Sequence, residues 1–324
     1  MSAKPRVLVG RKLPPNVEAR LRQDYDPIFN QDDVVYSKEQ LLALSVDVDA
    51  IIPCHTEHMS ADVIAALPDR IKAICSFSVG TDHIDLIAAK NKGLIVTNTP
   101  DVLNDATAEI AMLLMLAASR RAYEGERSIR TDTWADWTAF DGLGLQITGK
   151  RLGIVGMGRV GRVLAKRARA FDMEIHYHNR RPLSDDEAQG AIFHESLEAM
   201  LPLCDVLSIH CPSNPDSKHL INRETLALLP EHAVLVNTAR GAVVDDDALI
   251  EILQKRKIFA AGLDVFNNEP AIDPRYRELD NCFLLPHIGS ATRETRDAMG
   301  FRVLDNLDAV FVGKVPQDLL TQVA

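Results

Sequence analysis

The sequence predicts an α/β protein with two doubly wound parallel-sheet domains, and three observations support this prediction. Short apolar runs alternate with segments of helical periodicity along most of the chain. Strands that alternate with helices form parallel sheets with crossover helices. The length of 324 residues suits two domains. A hydrophobic content of 46% with 25% charged residues is typical of a globular protein.

Five apolar runs in the first hundred residues are predicted to be strands. They lie at residues 6–10, 26–30, 50–53, 72–77 and 94–97. Helices are predicted between them, including one that Ser60 would cap. The pattern changes at Pro100, after which a long helix rich in Ala, Leu and Met is predicted over residues 105–124, with Asn104 or Asp105 as its cap. A terminal helix is predicted to start near Ser290.

Residues 151–181 contain the most informative motif. An apolar run at residues 152–155 is followed by Gly156, Gly158 and Gly161 in the spacing G-x-G-x-x-G, then by a helical pattern and a second strand at residues 174–178. The glycines permit a sharp turn, close approach of a pyrophosphate and close packing of helix on strand, while the helix N-terminus attracts phosphate. This unit predicts a Rossmann-like dinucleotide-binding domain.

The terminal helix has no later strand to cover, so we expect it to return to the first domain. The predicted division is a flavodoxin-like substrate-binding domain of residues 1–99 plus 290–324, and a dinucleotide-binding domain of residues 100–289. Two chain crossings between the domains would form a hinge with an interdomain cleft, where ligands commonly bind.

The composition excludes several classes of function. A net charge of −10 argues against nucleic acid or an anionic membrane as a partner. No apolar stretch is long enough to span a bilayer. The five cysteines form no C-x-x-C pair and lie mostly in apolar runs, which indicates reduced thiols and a cytoplasmic location. The histidines lack the spacing of metal ligands, so we expect no metal.

Polar residues follow three strands of the second domain. Arg240 follows the run AVLVN, Glu269 lies in AGLDVFNNEP, and His287 lies in LLPHIGSAT. Ligands bind beyond the carboxyl ends of parallel strands. An arginine there can bind a carboxylate through two hydrogen bonds, or it can pair with Asp264. A glutamate near a histidine favours the charged imidazolium and fixes the ring.

A set of ordered blocks resembles the D-isomer-specific 2-hydroxyacid dehydrogenase family, in particular its NADP-dependent glyoxylate/hydroxypyruvate reductases. The resemblance extends almost from end to end. The blocks are SFSVGTDHID (76–85), NTPDVLNDATAEIAM (98–112), GIVGMGRVG (153–161), HCPSNPDSKHLIN (210–222), VNTARGAVVDDDAL (236–249), GLDVFNNEP (262–270) and LLPHIGSAT (284–292).

The resemblance implies a role for each polar residue. Arg240 would bind the carboxylate of a 2-keto acid, His287 would protonate the carbonyl oxygen as hydride arrives at carbon, and Glu269 would keep His287 charged and oriented. The predicted catalytic residues are therefore Arg240, Glu269 and His287. The predicted substrate-binding residues are Phe77, Val79, Gly80, Trp137, Arg240 and His287. The predicted cofactor-binding residues are Thr107, Gly156, Met157, Gly158, Arg159, Val160, Gly161, Asn179, Arg180, Arg181, His210, Cys211, Pro212, Thr238, Ala239, Arg240, Asp264, His287 and Gly289. In relatives an aromatic residue near Trp137 reaches the neighbouring active site, which implies a homodimer.

The end of the second strand indicates which nucleotide is bound. NAD enzymes carry an acid there to accept the ribose 2′-hydroxyl. The family's aspartate aligns with Asn179, and Arg180 and Arg181 follow. Asparagine does not repel a 2′-phosphate and two arginines can pair with it, so we predict NADP(H) in preference to NAD(H).

Two other functions remain open at this point. One is a reductase of bulkier aryl or branched 2-keto acids, as in hydroxyphenylpyruvate reductases, which the size of the pocket around Cys54, Phe77 and Trp137 would decide. The other is a dinucleotide-sensing corepressor-type binding protein, because such relatives can retain the same three catalytic residues. The arginines at 180 and 181 weigh against the second, since those sensors use NAD.

Overall fold

The computed structural model describes residues 3–321, and the chain divides into two compact units. One unit contains residues up to Leu103 together with those from Ser290 onward, and the other contains Asn104–Gly289. The domain boundary predicted at residues 99/100 is therefore four residues early, because Val102 and Leu103 pack against the core of the first unit. Residues 1, 2 and 322–324 of the predicted first domain lie outside the described residues.

The first unit contains a five-stranded parallel sheet. Its strand order is β2-β1-β3-β4-β5, and Val7 pairs with Ala50 while Ile74 pairs with Val96. The strands are short and almost wholly apolar, as expected where helices cover both faces of a parallel sheet. They are β1 (Arg6–Val9), β2 (Asp26–Ile28), β3 (Ala50–Ile52), β4 (Ala73–Cys75) and β5 (Ile95–Thr97).

Four helices connect these strands. They are α1 (Pro15–Asp24), α2 (Lys38–Leu44), α3 (Ala61–Ala66) and α4 (Leu86–Asn91). Ser60 precedes α3 as predicted, but its side chain caps no backbone N–H group. Its hydroxyl donates to the carboxylate of Asp62 instead. Ser60 therefore occupies the predicted N-cap position but does not form the predicted capping hydrogen bond.

The second unit contains a seven-stranded parallel sheet in the order β12-β11-β10-β9-β6-β7-β8. The order reverses between β6 and β9, which is the switch point where doubly wound sheets bind nucleotides. Its strands are β6 (Arg151–Val155), β7 (Glu174–His178), β8 (Ile192–Phe193), β9 (Val206–Ile209), β10 (Val234–Asn237), β11 (Ala260–Leu263) and β12 (Cys282–Leu284). Both sheets confirm the predicted fold class of two parallel-sheet α/β domains.

The helices of the second unit are α5 (Asn104–Ser119), α6 (Ala122–Arg130), α7 (Arg159–Ala168), α8 (Asp185–Ala188), α9 (Leu197–Met200), α10 (Arg223–Leu226) and α11 (Asp246–Gln254). The single long helix predicted over residues 105–124 is wrong, because Arg121 adopts a left-handed backbone (φ 53°) between α5 and α6. The returning chain ends α5: the N–H of Leu145 donates to the carbonyl of Ser119 (2.7 Å). Asn104 and Asp105 lie inside the first turn of α5 and do not cap it.

Helix α12 (Arg293–Phe311) completes the first unit. It starts three residues later than predicted because Thr292 is its cap and accepts the N–H of Thr295 (3.1 Å). It packs on α1, where a Cβ on Gly300 would lie 2.2 Å from Val17 Cγ2, and on β4 and β5. None of the helices within residues 3–321 has the length and apolarity that a membrane crossing needs.

Candidate active site

Three polar side chains of the second unit come from neighbouring strand ends. Arg240 follows β10, Glu269 follows β11 and His287 follows β12. These three strands are adjacent and parallel, so their carboxyl ends lie along one edge of the sheet, where ligands bind in such folds. The structure thus brings all three predicted catalytic residues to one edge.

Glu269 and His287 form a direct side-chain pair. Nδ1 of His287 lies 2.6 Å from Oε2 of Glu269, and the other carboxylate oxygen accepts the N–H of Phe266 (2.7 Å). Each side chain keeps about a quarter of its surface exposed, 29% for His287 and 26% for Glu269. The carboxylate is therefore fixed at both oxygens, and it holds the imidazole through Nδ1 so that Nε2 lies on the opposite side of the ring.

Asp264, the first residue after β11, holds the backbone around His287. Its carboxylate oxygens accept the N–H groups of Ile288 and Gly289, both at 2.8 Å, and its carbonyl accepts the N–H of His287 (2.8 Å). Burial raises the pKa of Asp264, although the two N–H donors and His287 oppose this shift. Thr107 on α5 lies next to Gly289, since a Cβ there would be 3.6 Å from its hydroxyl.

The turn that carries Arg240 is held by Asn237, the last residue of β10. Its Oδ1 accepts the N–H of Ala239 and its Nδ2 donates to the carbonyl of Arg240, both at 3.0 Å. A Cβ on Gly241 would lie 2.0 Å from the carbonyl carbon of Phe266, so this turn lies directly against the start of the Glu269 turn. Asn237 is a positioning residue that the motifs did not reveal; its only sequence signal is an amide at the end of a buried strand.

The glycine turn between β6 and α7 is tightly packed at two of its three glycines. Gly156 has a left-handed backbone (φ 87°), and a Cβ there would lie 2.6 Å from the backbone nitrogen of Cys211. A Cβ on Gly161 would lie 2.9 Å from the carbonyl oxygen of Gly156. Only glycine fits at these positions, which places α7 directly against the turn.

The third glycine fits a bound pyrophosphate. Gly158 is the N-cap of α7, no side chain caps this helix, and a Cβ at Gly158 would meet nothing within 4 Å. Arg159 and Val160 form the first turn of α7. The open space beside an uncapped helix N-terminus suits an anionic group, and the residues present therefore fit a dinucleotide.

Asn179 follows β7 and is hydrogen-bonded to the glycine turn. Its Oδ1 accepts the N–H of Met157 (2.7 Å), which directs its Nδ2 donor group away from that N–H. Arg180 and Arg181 are exposed, and neither forms an ion pair with another residue in the described range 3–321. The end of β7 thus offers an amide donor and two exposed guanidinium groups.

His210 links the ends of β9 and β10. Its Nε2 lies 2.8 Å from Ser208 Oγ and its Nδ1 lies 3.3 Å from Thr238 Oγ1. Burial lowers the pKa of His210 to about 4, so the ring is neutral at neutral pH. Cys211 packs against the glycine turn, whereas Pro212 is exposed. His210 therefore connects β9 to the strand end that carries Arg240.

The predicted carboxylate-binding loop of the first unit is fixed through its carbonyl groups. Nδ2 of Asn98 donates to the carbonyl of Val79, and the hydroxyl of Ser78 donates to the carbonyl of Gly80, both at 2.8 Å. The N–H groups of Val79 and Gly80 donate to no acceptor among residues 3–321. The loop is thus held with two N–H groups available to a ligand.

The two aromatic residues predicted for the substrate pocket lie in contrasting surroundings. Phe77 is only 4% exposed and packs in the core of the first unit. Trp137 is 75% exposed and lies after α6 in a segment without regular secondary structure. Sequence alone did not distinguish these surroundings.

A cleft of about 290 Å³ in the second unit lies at the amino ends of β11 and β12, at the opposite edge from the catalytic residues. Four of its charged side chains form two ion pairs, Arg121 with Glu124 at 2.7 Å and Arg256 with Asp280 at 2.5 Å. A fifth, Glu231, lies 3.9 Å from Lys257. None of the predicted site residues lines this cleft.

Comparison with known proteins gives a consistent result. The family model "D-isomer specific 2-hydroxyacid dehydrogenase, NAD binding domain" matches residues 112–289. Glycerate dehydrogenase from Hyphomicrobium methylovorum is 41% identical over 313 residues, covering 96% of this chain and 97% of that protein. Glyoxylate reductase from Thermococcus onnurineus is 39% identical over 323 residues, covering 98% and 96%.

A solved structure gives the same result for the fold. The NADPH-dependent glyoxylate/hydroxypyruvate reductase from Sinorhizobium meliloti, crystallised with NADP and malonate, superposes with a TM-score of 0.89 at 33% identity, covering 99% of this chain and 98% of that one. Both the family match and the near full-length identity to the relatives exceed what a shared fold alone produces. The chain belongs to the D-isomer-specific 2-hydroxyacid dehydrogenase family of oxidoreductases.

Proposed function

We propose that this protein reduces a small 2-keto acid, glyoxylate or hydroxypyruvate, to the 2-hydroxy acid with NADPH. The observation that carries the proposal is the 2.6 Å contact between His287 Nδ1 and Glu269 Oε2, on the strand edge that also bears Arg240. The names of the relatives, glyoxylate reductase and glycerate dehydrogenase, support the choice of substrate.

Each side chain at this edge has a distinct part in the reaction. The bound nicotinamide would supply the hydride to the carbonyl carbon. His287 would give the carbonyl oxygen a proton from Nε2, because Nδ1 is held by Glu269. The carboxylate of Glu269 would stabilise the charged ring before transfer. Arg240 would bind the substrate carboxylate through two hydrogen bonds and polarise the carbonyl.

The first unit would act as the substrate-binding domain and the second as the dinucleotide-binding domain. The two available N–H groups of Val79 and Gly80 would hold the substrate carboxylate, while the open turn at Gly158 would hold the pyrophosphate. The remaining nucleotide contacts would come from the strand-end residues Thr107, His210, Thr238, Ala239, Asp264 and Gly289.

The test is the loss of NADPH absorbance when the protein is mixed with glyoxylate, hydroxypyruvate, a hydroxyphenylpyruvate or a branched 2-keto acid. We expect turnover of the first two, and a loss of about 10³-fold in kcat for H287Q, the range typical of a lost general acid. His58 is exposed, and H58Q is the matched control with unchanged kcat. Turnover of only the bulky acids, or binding of dinucleotide without turnover, would overturn the assignment.

The preference for NADPH rests on the end of β7. Because Oδ1 of Asn179 accepts the N–H of Met157, its Nδ2 is the group available to a ribose phosphate. Aspartate there would place a second negative oxygen in that direction and repel the phosphate. Arg180 and Arg181, exposed and without ion pairs among residues 3–321, would pair with the phosphate.

We predict that the double variant N179D/R180A moves the cofactor preference toward NADH. The ratio of kcat/KM for NADPH over NADH should exceed one in the parent and fall at least about 100-fold, which corresponds to two lost charge-assisted contacts. R277A, which removes an exposed arginine elsewhere in the second unit, should leave the ratio unchanged. A parent ratio below one would contradict the preference.

The proposed assembly is a homodimer formed through the segment that follows α5. Helix α6 has no buried residue, and the chain from its last turn onward exposes several large apolar side chains. Exposed apolar clusters of this kind mark protein interfaces. The exposed residues are Ile129, Trp134, Trp137, Phe140 and Leu143.

A further inference from the structure

Arg296 in the first turn of α12 is a half-buried cation of the first unit. Its guanidinium carbon lies 6.0 Å from the centroid of the Phe77 ring, and partial burial lowers the pKa of Arg296. Within residues 3–321 it forms no ion pair and no side-chain hydrogen bond. A half-buried charge loses part of its hydration, and here no counter-charge compensates that loss, so this guanidinium is suited to bind an anionic or polar ligand.

Neighbouring groups do not neutralise Arg296. Burial raises the pKa of the nearby Cys54 thiol to about 12, so the sulfur is uncharged at neutral pH. The adjacent Asp297 accepts a hydrogen bond from Asn16 Nδ2 (2.9 Å). The ring of Phe77 contributes only the weak attraction of a cation–π contact. The guanidinium thus retains its capacity to bind an anion.

Other arginines of the first unit differ from Arg296 because they form ion pairs. Arg11 pairs with Asp33 (2.9 Å), and Arg302 pairs with Asp318 (2.6 Å). Both pairs satisfy their guanidinium groups inside the protein. The ring beneath Arg296 belongs to the residue that opens the loop carrying the N–H groups of Val79 and Gly80, so its cation lies beside the proposed substrate loop.

We propose that Arg296 is a substrate-binding residue that recognises an oxygen-bearing group on the third carbon of the 2-keto acid, either a hydroxyl or a second carboxylate. This inference rests on the proposed function, in which the loop at Val79 and Gly80 of the same unit holds the first carboxylate. Arg296 then selects hydroxypyruvate-like or dicarboxylic substrates over glyoxylate, which has no third carbon. A guanidinium recognises such oxygens by charge-assisted hydrogen bonds.

The first test compares kcat/KM for glyoxylate, hydroxypyruvate and oxaloacetate in the parent, R296Q, R296K and R293Q. R296Q should lose at least about 30-fold on the two substituted substrates and less than about threefold on glyoxylate, in line with one lost charged hydrogen bond. R296K should recover part of the loss because it restores the charge. Arg293 is exposed on the same helix, so R293Q should match the parent. A larger loss on oxaloacetate than on hydroxypyruvate identifies the carboxylate as the preferred group.

The second test measures binding without turnover. Tartronate, with two carboxylates, should raise the Tm of the parent more than glycolate does, and R296Q should abolish this difference while R293Q keeps it. R296Q should unfold at a Tm no lower than that of the parent, since it removes a half-buried charge that has no counter-charge. If R296Q fails to fold, R296K and R296M replace it in both tests.

Two results would overturn the inference. One is an equal loss on all three substrates, which would make Arg296 a ligand of the common carboxylate or a structural residue. The other is no loss at all. The two proposals can fail separately. If the parent reduces none of these substrates but tartronate still raises its Tm, and R296Q abolishes that rise, the proposed function is wrong and the anion site at Arg296 is supported.

Discussion

At the scale of single residues, His287 has an unusual backbone that its neighbours compensate. Its φ of 54° lies in the left-handed region, which costs a residue with a side chain on the order of 1 kcal/mol or more. The hydrogen bonds that Asp264 accepts from the N–H groups of His287 and Ile288 hold this conformation. The same conformation accompanies the contact of the ring with Glu269. The local strain is thus tied to the placement of the proposed acid.

The charge of Glu269 should contribute to catalysis in addition to its hydrogen bond. In E269Q the neutral amide can still bind His287 Nδ1 but no longer stabilises the charged ring. We expect kcat for keto acid reduction to fall by about 10²-fold. The measurement is kcat of the parent and E269Q, with E278Q as the control, because Glu278 is exposed and lies outside the catalytic edge. An unchanged kcat in E269Q would argue against the pair.

His210 should make the protein less stable in mild acid. Burial lowers the pKa of His210 to about 4, whereas an unfolded histidine titrates near 6.5. Between these values the unfolded state binds more protons, so stability falls as pH falls, by about 2 kcal/mol at pH 5 relative to pH 7.5. H210Q keeps polar groups near Ser208 and Thr238 but does not titrate.

The check on His210 is the Tm of parent and H210Q between pH 4.5 and 7.5. The parent should lose more Tm than H210Q as the pH is lowered. A constant difference across this range would show that His210 is not the titrating group. H219Q is the control for an exposed histidine, and it should follow the parent.

At the scale of elements, the glycine turn between β6 and α7 is a steric requirement of the fold. Gly156→Ala should destabilise the protein by about 3 kcal/mol or more, because a left-handed alanine costs about 1 kcal/mol and its Cβ would meet the backbone of Cys211 at 2.6 Å. Gly190 has a similar φ of 80° with nothing within 4 Å of a Cβ. Gly190→Ala should therefore cost only about 1 kcal/mol. Denaturant unfolding of both variants measures the difference, and equal costs would refute the steric argument.

The strands were easier to predict than the breaks between helices. Buried strands of a parallel sheet are continuous apolar runs, and the run predicted at residues 152–155 is strand β6 (Arg151–Val155). The break at Arg121 has no local signal, because Arg120 and Arg121 are good helix formers. A distant segment ends the helix there: Leu145 donates to the carbonyl of Ser119. Local patterns contain no information about such a contact. The two-residue strand β8 and the polar one-turn helix α8 were missed because both are too short to show a period.

The candidate site shows the same division. The family and the positions of Arg240, Glu269 and His287 at strand ends follow from ordered motifs, and the comparisons confirm the family. The supporting amides of Asn98 and Asn237 could not be predicted, since each acts through a backbone carbonyl that only the folded chain brings near. Sequence therefore indicated the groups expected to meet the substrate but not the groups that hold them.

At the scale of the whole molecule, each unit has its own sheet and core, and the first is built from two separated chain segments. Helix α12 fills the core of the first unit with Met299, Val303, Leu304 and Leu307. The N–H of Leu320 then donates to the carbonyl of Val96 at the edge strand β5 (2.8 Å). The C-terminal segment of the chain thus packs in the first unit, while the apolar segment around Trp137 remains exposed.

That exposed segment should form the dimer interface. We predict that W137S/F140S weakens the dimer at least about 30-fold in Kd, because truncating an aromatic anchor of an interface typically costs about 2 kcal/mol or more. Sedimentation equilibrium over a range of concentrations measures the Kd. Ile87 of the first unit is equally exposed, at 76% against 75% for Trp137, and I87S should leave the dimer intact.

A monomeric parent protein, or a dimer that W137S/F140S leaves unchanged, would exclude this interface. Since the substitutions lie on an exposed surface, the Tm of the isolated monomer should stay within about 1 °C of the parent monomer, which separates lost association from lost folding.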